Sequence, residues 1–219
     1  MSNLEKEIEK TLTKQMYIPK PLKKLFAWIE KKGYIKEHEG TTYGYLYDVD
    51  KINESWQNDT REGGTFISFY PEKESDQWYL INNKQMENRL RIFGKSGDDG
   101  SVVAFWLNDK AEQKIVHIGS GSGSTLACIL AHDPIDFLRL LAIGYDEICW
   151  EENLPLTAKE SFEENKFYVQ ENQEFTKWLK QQFQTTIPKK ALEIIKHPAL
   201  FDDEESQDEF WQWLAKNEE

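Results

Sequence analysis

The chain has 219 residues, with 27 Lys and Arg against 39 Asp and Glu, a formal net charge of −12 and a pI near 4.9. So acidic a balance argues against non-specific nucleic-acid binding, which needs cations to neutralise phosphates, and against docking on anionic lipid. It favours a solvated acidic surface or a basic partner.

From the N-terminus, Leu4, Ile8, Leu12 and Met16 recur at four-residue spacing and predict a charged helix over Leu4–Met16. Pro19 and Pro21 break it. Pro21 then opens a second helix that carries Leu22, Leu25, Phe26 and Ile29 inward and stops at Gly33. Aromatic-rich runs at Thr41–Tyr47, Thr65–Tyr70 and Trp78–Ile81 predict strands, with a polar connection over 48–64 that has room for a helical turn. Next come four short apolar runs closed by turn residues: Ile92-Phe93, Val102–Leu107, Ile115–Ile118 and Leu126–Ala131. Asp99-Gly100 is a hairpin signal between the first two. Asp133-Pro134 reads as a helix start, Phe137, Leu138, Leu140 and Leu141 as its buried face, and Gly144 as its stop. Beyond Tyr145 the strand pattern ends. A helix from about Asn172 presents Phe175, Trp178, Leu179 and Phe183. Ile187-Pro188 makes a bend, a short helix covers Ala191–Lys196, and the acidic tail anchors through Phe210, Trp211 and Leu214.

The order of these elements predicts an α+β fold: an antiparallel or mixed β-sheet meander of about six strands flanked by N- and C-terminal helices. One domain spans 1–219, with a helical part over 1–40, a sheet core over 41–145 and a helical part over 146–219. Charge follows the same division. Residues 1–40 hold nine Lys and six Glu, a net of +3, which leaves −15 for residues 41–219. Two cysteines, Cys128 and Cys149, make no disulfide framework. MSNLEKEIEKTLTK has no apolar signal-peptide core, and no run nears the ~18 apolar residues of a membrane span. Reduced thiols, no membrane association and a cytoplasmic location are expected.

Catalytic and metal motifs are weak. Gly119-Ser-Gly-Ser-Gly-Ser124 follows a strand and invites a phosphate-binding reading. It lacks, however, the third glycine of the dinucleotide fingerprint and the Lys of the P-loop, and no helix N-terminus faces it. A flexible hairpin turn is the plainer reading. His38, His117, His132 and His197 show no ligand spacing. His117 and Cys128 face one another across paired strands in this reading, but two ligands make no zinc site. Asp48, Asp50 and Asn53 lack the Gly and closing Glu of a calcium loop. No catalytic residue, metal or cofactor is therefore assigned.

What remains is acidity beside aromatics. Trp150 lies amid Asp146, Glu147, Glu151 and Glu152, the chemistry of a hot spot for a basic protein; its alternative is to pack over the sheet edge. With the hairpin acids Asp98 and Asp99, these form the candidate partner-binding set, although acids are also common in turns and helix starts for purely local reasons.

The series IFG, GSVVAFWL, KIVHIGS, LACILAHDPIDFLRLLAIGY resembles the SUKH superfamily of Smi/Knr-type domains. EFTKWLKQQFQTTIPKKALEIIKHP and DEFWQWL are similar to the Trp helix, Ile-Pro bend and terminal Trp helix of many bacterial members. The Gly/Ser tract is richer than the usual turn of that family, and the N-terminal helices and the 48–64 connection have no counterpart. The resemblance implies a non-enzymatic α+β domain that serves as an immunity protein. Such a protein neutralises a toxin, frequently a nuclease, by placing carboxylates over its basic surface. A regulatory scaffold of the same fold is the second expectation, and a nucleotide-binding protein or enzyme using the Gly/Ser loop the third.

Overall fold

The computed structural model describes residues 1–58, 64–72, 84–165 and 171–217. Helix α1 (Asn3–Thr11) starts where the Ser2 hydroxyl accepts the Glu5 N–H at 3.1 Å, and it buries Leu4 and Ile8. It is shorter than the spacing predicts. The backbone turns extended at Leu12, and Met16 reaches the core from outside the helix. Helix α2 (Lys20–Lys32) has proline in its first turn and ends on left-handed Gly33, φ 75°. Strands β1 (Ile35–His38) and β2 (Thr41–Tyr45) form a hairpin through Glu39-Gly40, both at positive φ, the geometry of a tight two-residue turn.

The polar connection after β2 holds more than a turn. Helix α3 (Val49–Gln57) lies there, followed by the short strand β3 (Ser68–Phe69). Trp78–Ile81 lies outside the described residues. Helix α4 (Lys84–Arg89) leads into β4 (Leu90–Lys95), β5 (Val102–Leu107), β6 (Gln113–Ile118) and β7 (Ala127–Ala131). Among the described residues, seven strands lie in sequence order β1 to β7 with every neighbour antiparallel. The fold is the expected α+β meander, with the edge strand β1 added.

Phe93 sits at a bulge between Ile92 and Gly94 and stacks on Phe105 at 4.1 Å. Phe137 from α5 (Pro134–Leu141) meets Phe93 edge-on, and Phe26 from α2 meets Phe69 in the same way. Successive residues of a strand point to opposite faces, so Trp106 looks the other way, onto Phe210 and Trp213 of α8 (Glu209–Asn217). Both sheet faces are covered, and all six residues of β5 are buried.

Two further helices, α6 (Ala158–Asn165) and α7 (Gln173–Phe183), complete the C-terminal part with short 3-10 turns at Glu151–Asn153 and Ala191–Glu193. The outer edge of β7 is closed by this part of the chain. Ala127 N–H donates to the Ala199 carbonyl at 2.8 Å, and Ile129 N–H to Asp208 Oδ2 at 3.0 Å. Asp208 Oδ1 also caps α8 through the Trp211 N–H.

Candidate functional site

The segment after β7 and α5 returns beside the start of β3. Phe66 N–H donates to the Asp146 carbonyl at 2.7 Å, and the Thr65 hydroxyl lies 2.7 Å from the Tyr145 carbonyl. This splice leaves a cavity of about 210 Å³ between α3, the 64–66 segment, the β4–β5 hairpin and residues 146–147. Tyr47, Ile52 and Phe66 contribute its apolar walls, and Asp98, Asp146 and Glu147 its charge. Three carboxylates thus share a small space with two aromatic rings.

Electrostatics there are unbalanced. Burial pushes the Asp146 carboxyl up to about 6, with the like charges of Glu147 and Asp98 adding to it. The Tyr47 phenol is raised by burial and then by Asp146. Among the described residues, Lys95 is the cation that reaches this rim: its Nζ lies 3.9 Å from Asp98 Oδ1 and 5.8 Å from the Phe66 ring centre. No described cation pairs with Asp146 or Glu147. The arrangement suits an incoming ammonium or guanidinium group, attracted by charge and flanked by π faces.

Glu147 organises the rim. One carboxylate oxygen accepts the Asp98 N–H; the other accepts the Trp150 indole N–H at 2.7 Å and lies 3.7 Å from Cys149 Sγ. Trp150 is half-buried against this carboxylate, while Glu151 and Glu152 are exposed at the start of the 3-10 turn. Burial, and then Glu147, raises the Cys149 thiol, the opposite of what activates a nucleophile.

Asp99 sits elsewhere. Its Oδ2 accepts Ser124 N–H at 2.8 Å, Ser120 Oγ–H at 2.8 Å and Ser101 Oγ–H at 2.9 Å, and its Oδ1 accepts Ser101 N–H at 2.9 Å. The carboxylate lies inside the Gly/Ser loop and takes up donors that a phosphate would need. Other donors are used within the loop: Gly123 N–H goes to Ser120 Oγ and Gly121 N–H to the Ser124 carbonyl. A Cβ on Gly123 would stand 2.8 Å from the Asp99 side chain, so that glycine exists to let the loop close over Asp99.

Of the seven candidate residues, the structure brings Asp98, Asp146, Glu147 and Trp150 together. It sets Glu151 and Glu152 beside them on the surface and places Asp99 in the adjoining loop. Tyr47 and Phe66 were absent from the set because only tertiary closure brings them to the acids. His117 and Cys128 do pair across β6 and β7; His117 Nδ1 lies 2.8 Å from the Leu126 carbonyl, and no third ligand joins them among the described residues. Asp48 and Asp50 serve the start of α3, where Asp50 pairs with Lys36.

Fold and site together define an α+β domain with an acidic, aromatic-walled cleft. No family model matches the chain, and neither a curated protein nor a solved structure is significantly similar to it.

Proposed function

We propose that this chain is a non-enzymatic protein-binding module: a cytoplasmic immunity protein that neutralises a basic toxin by stoichiometric occlusion. One observation carries the reading: Asp146 and Glu147 stand beside Asp98 in an aromatic-walled cleft, and no described cation pairs with either of them. Folding an unpaired carboxylate into such a place opposes stability, so a partner that supplies the missing cation gains both the Coulomb attraction and relief of that repulsion. The net charge of −12 adds long-range steering of a basic protein toward the cleft. The resemblance of the meander and the terminal Trp helix to the SUKH superfamily supports the same assignment. The donors of the Gly/Ser loop are already engaged by Asp99, which weakens the nucleotide-binding alternative.

The test is genetic as well as biochemical. Immobilised chain is used to capture basic proteins from the lysate of its own cell, with elution by rising salt. Each is then expressed alone and with this chain. Growth arrest alone and growth with co-expression is the expected result. A captured protein that is harmless alone sends the assignment to the scaffold reading.

A further inference from the structure

A second cavity lies away from the cleft. It is a groove of about 540 Å³ between the 201–206 turn and α8, against about 210 Å³ for the acidic cleft and about 230 Å³ for a pocket beside Asp208. Phe201 and Trp211 line it, with ring centres 6.0 Å apart. The Trp211 indole N–H donates to the Asp203 carbonyl at 2.8 Å, and Gln212 Nε2 ties α8 to the Ser206 carbonyl at 2.9 Å. The walls are therefore fixed before any ligand arrives, which lowers the entropy that binding must offset. Asp202 and Glu204 are exposed on its rim, and neither has an ion-pair partner among the described residues. Lys216 and the exposed Ala215 complete the helix wall. The rim continues the acidic segment of the chain, because Asp202 lies near enough to Glu151 to raise its carboxyl, after burial and Glu152.

We propose that this groove is a second contact region for the basic partner, seating an apolar side chain flanked by lysine or arginine while Asp202 and Glu204 meet the flanking cations. Charge complementarity selects that occupant. An aromatic floor alone would take any apolar group, but Asp202 and Glu204 outweigh the single Lys216, and a net negative rim disfavours acidic segments and rewards basic ones. The proposal draws on the function above only for the partner's basic character. It adds that the partner is held at two places, the cleft for a cation alone and the groove for an apolar group between cations.

Two capped tripeptides, Lys-Phe-Lys and Lys-Lys-Lys, separate these roles when titrated into the full-length chain and followed by amide NMR shifts. Lys-Phe-Lys is expected to move Ser206, Gln212 and Ala215. It should do so at least threefold more weakly in Asp202→Asn/Glu204→Gln, and not at all in Ala215→Arg, which fills the groove from an exposed helix position. Lys-Lys-Lys is expected to move Asp98 and Asp146 and leave the groove still. If both peptides move the groove alike, or Lys-Phe-Lys leaves it unmoved, the apolar seat is wrong. Groove shifts that grow with protein concentration in the absence of peptide assign the groove to a second copy of this chain and overturn the proposal. Failure of Lys-Lys-Lys at Asp98 and Asp146 counts against the cleft alone.

Discussion

Asp99 Oδ2 accepts the Ser124 main-chain N–H at 2.8 Å, joining the β4–β5 hairpin to the Gly/Ser loop across 25 residues of chain. Burial alone would raise this carboxyl, but the bonds from Ser124, Ser101 and Ser120 outweigh it and hold the group below its ordinary value. A depressed folded pKa stabilises above the unfolded value and loses that effect as pH falls through the folded one. Asp99→Ala should therefore cost about 2–3 kcal/mol near neutral pH. The difference from wild type, read by urea unfolding, should shrink between pH 5 and pH 3. A pH-independent difference would mean that the charge of Asp99 is not what holds the loop.

Gly97 leaves room for the same carboxylate by lacking a side chain. A Cβ there would stand 2.6 Å from Asp99 Oδ1 and 2.7 Å from the Sγ of the buried Cys149. Gly97→Ala should destabilise by about 1–3 kcal/mol. At Gly40, φ +74° with open space around the Cβ position, alanine should cost only about 1 kcal/mol. Paired thermal melts give the ranking.

His117 is a buried neutral imidazole. Burial lowers its pKa to about 4 from 6.5, with the Leu126 carbonyl acting in the opposite direction. A histidine with a lowered folded pKa leaves stability intact above the unfolded value and loses it as pH falls below that value toward the folded one. Wild type should lose about 2–3 kcal/mol from this site between pH 6.5 and pH 4. His117→Leu should lack that component, because leucine does not titrate, and the Leu126 carbonyl keeps a second donor in Gly119 N–H. Denaturation midpoints across the pH range decide it.

Asp208 joins two elements with one side chain: Oδ1 caps α8 through Trp211 N–H, and Oδ2 covers the Ile129 N–H on the edge of β7. Asp208→Ala should cost about 2–4 kcal/mol. It should also speed hydrogen exchange at Ile129 well beyond that at Val116 in the neighbouring strand. Equal acceleration at both amides would indicate global loosening and no latch.

The central strands were legible because their pattern is almost redundant. Val102–Leu107 is apolar throughout and bounded by turn residues, and the observed β5 has those bounds. Asp133-Pro134 marks the start of α5 by capping chemistry that acts locally, and Asp133 Oδ1 indeed accepts the Ile135 N–H at 2.7 Å. Strand β1 was missed because Ile35-Lys36-Glu37-His38 is an edge, where charged residues protect the open side and erase the apolar alternation. Helices α4 and α6 were missed for a related reason: KQMENR and AKESFEEN are mostly polar, so helical periodicity has few apolar residues to show itself. At the candidate site, charge density in the sequence pointed to Asp98, Asp146 and Glu147, which the structure places around one cavity. Tyr47 and Phe66 depend on the contact of Phe66 with Asp146 across the fold, which no local pattern encodes. Asp98 and Asp99 separate for the same reason, since neighbouring acids turn into different surroundings.

Asp146→Asn is the most direct probe of the cleft, because its two effects have opposite signs. A carboxyl whose folded pKa lies near 6, above the ordinary 3.8, opposes folding once ionised. At pH 7 the amide should therefore stabilise the free protein by about 1–3 kcal/mol. Binding of the captured basic partner, measured by calorimetry at 150 mM and 500 mM salt, should weaken at least tenfold in the variant and depend less steeply on salt. A variant that is more stable yet binds with unchanged affinity and salt dependence would contradict the cleft as the partner's seat.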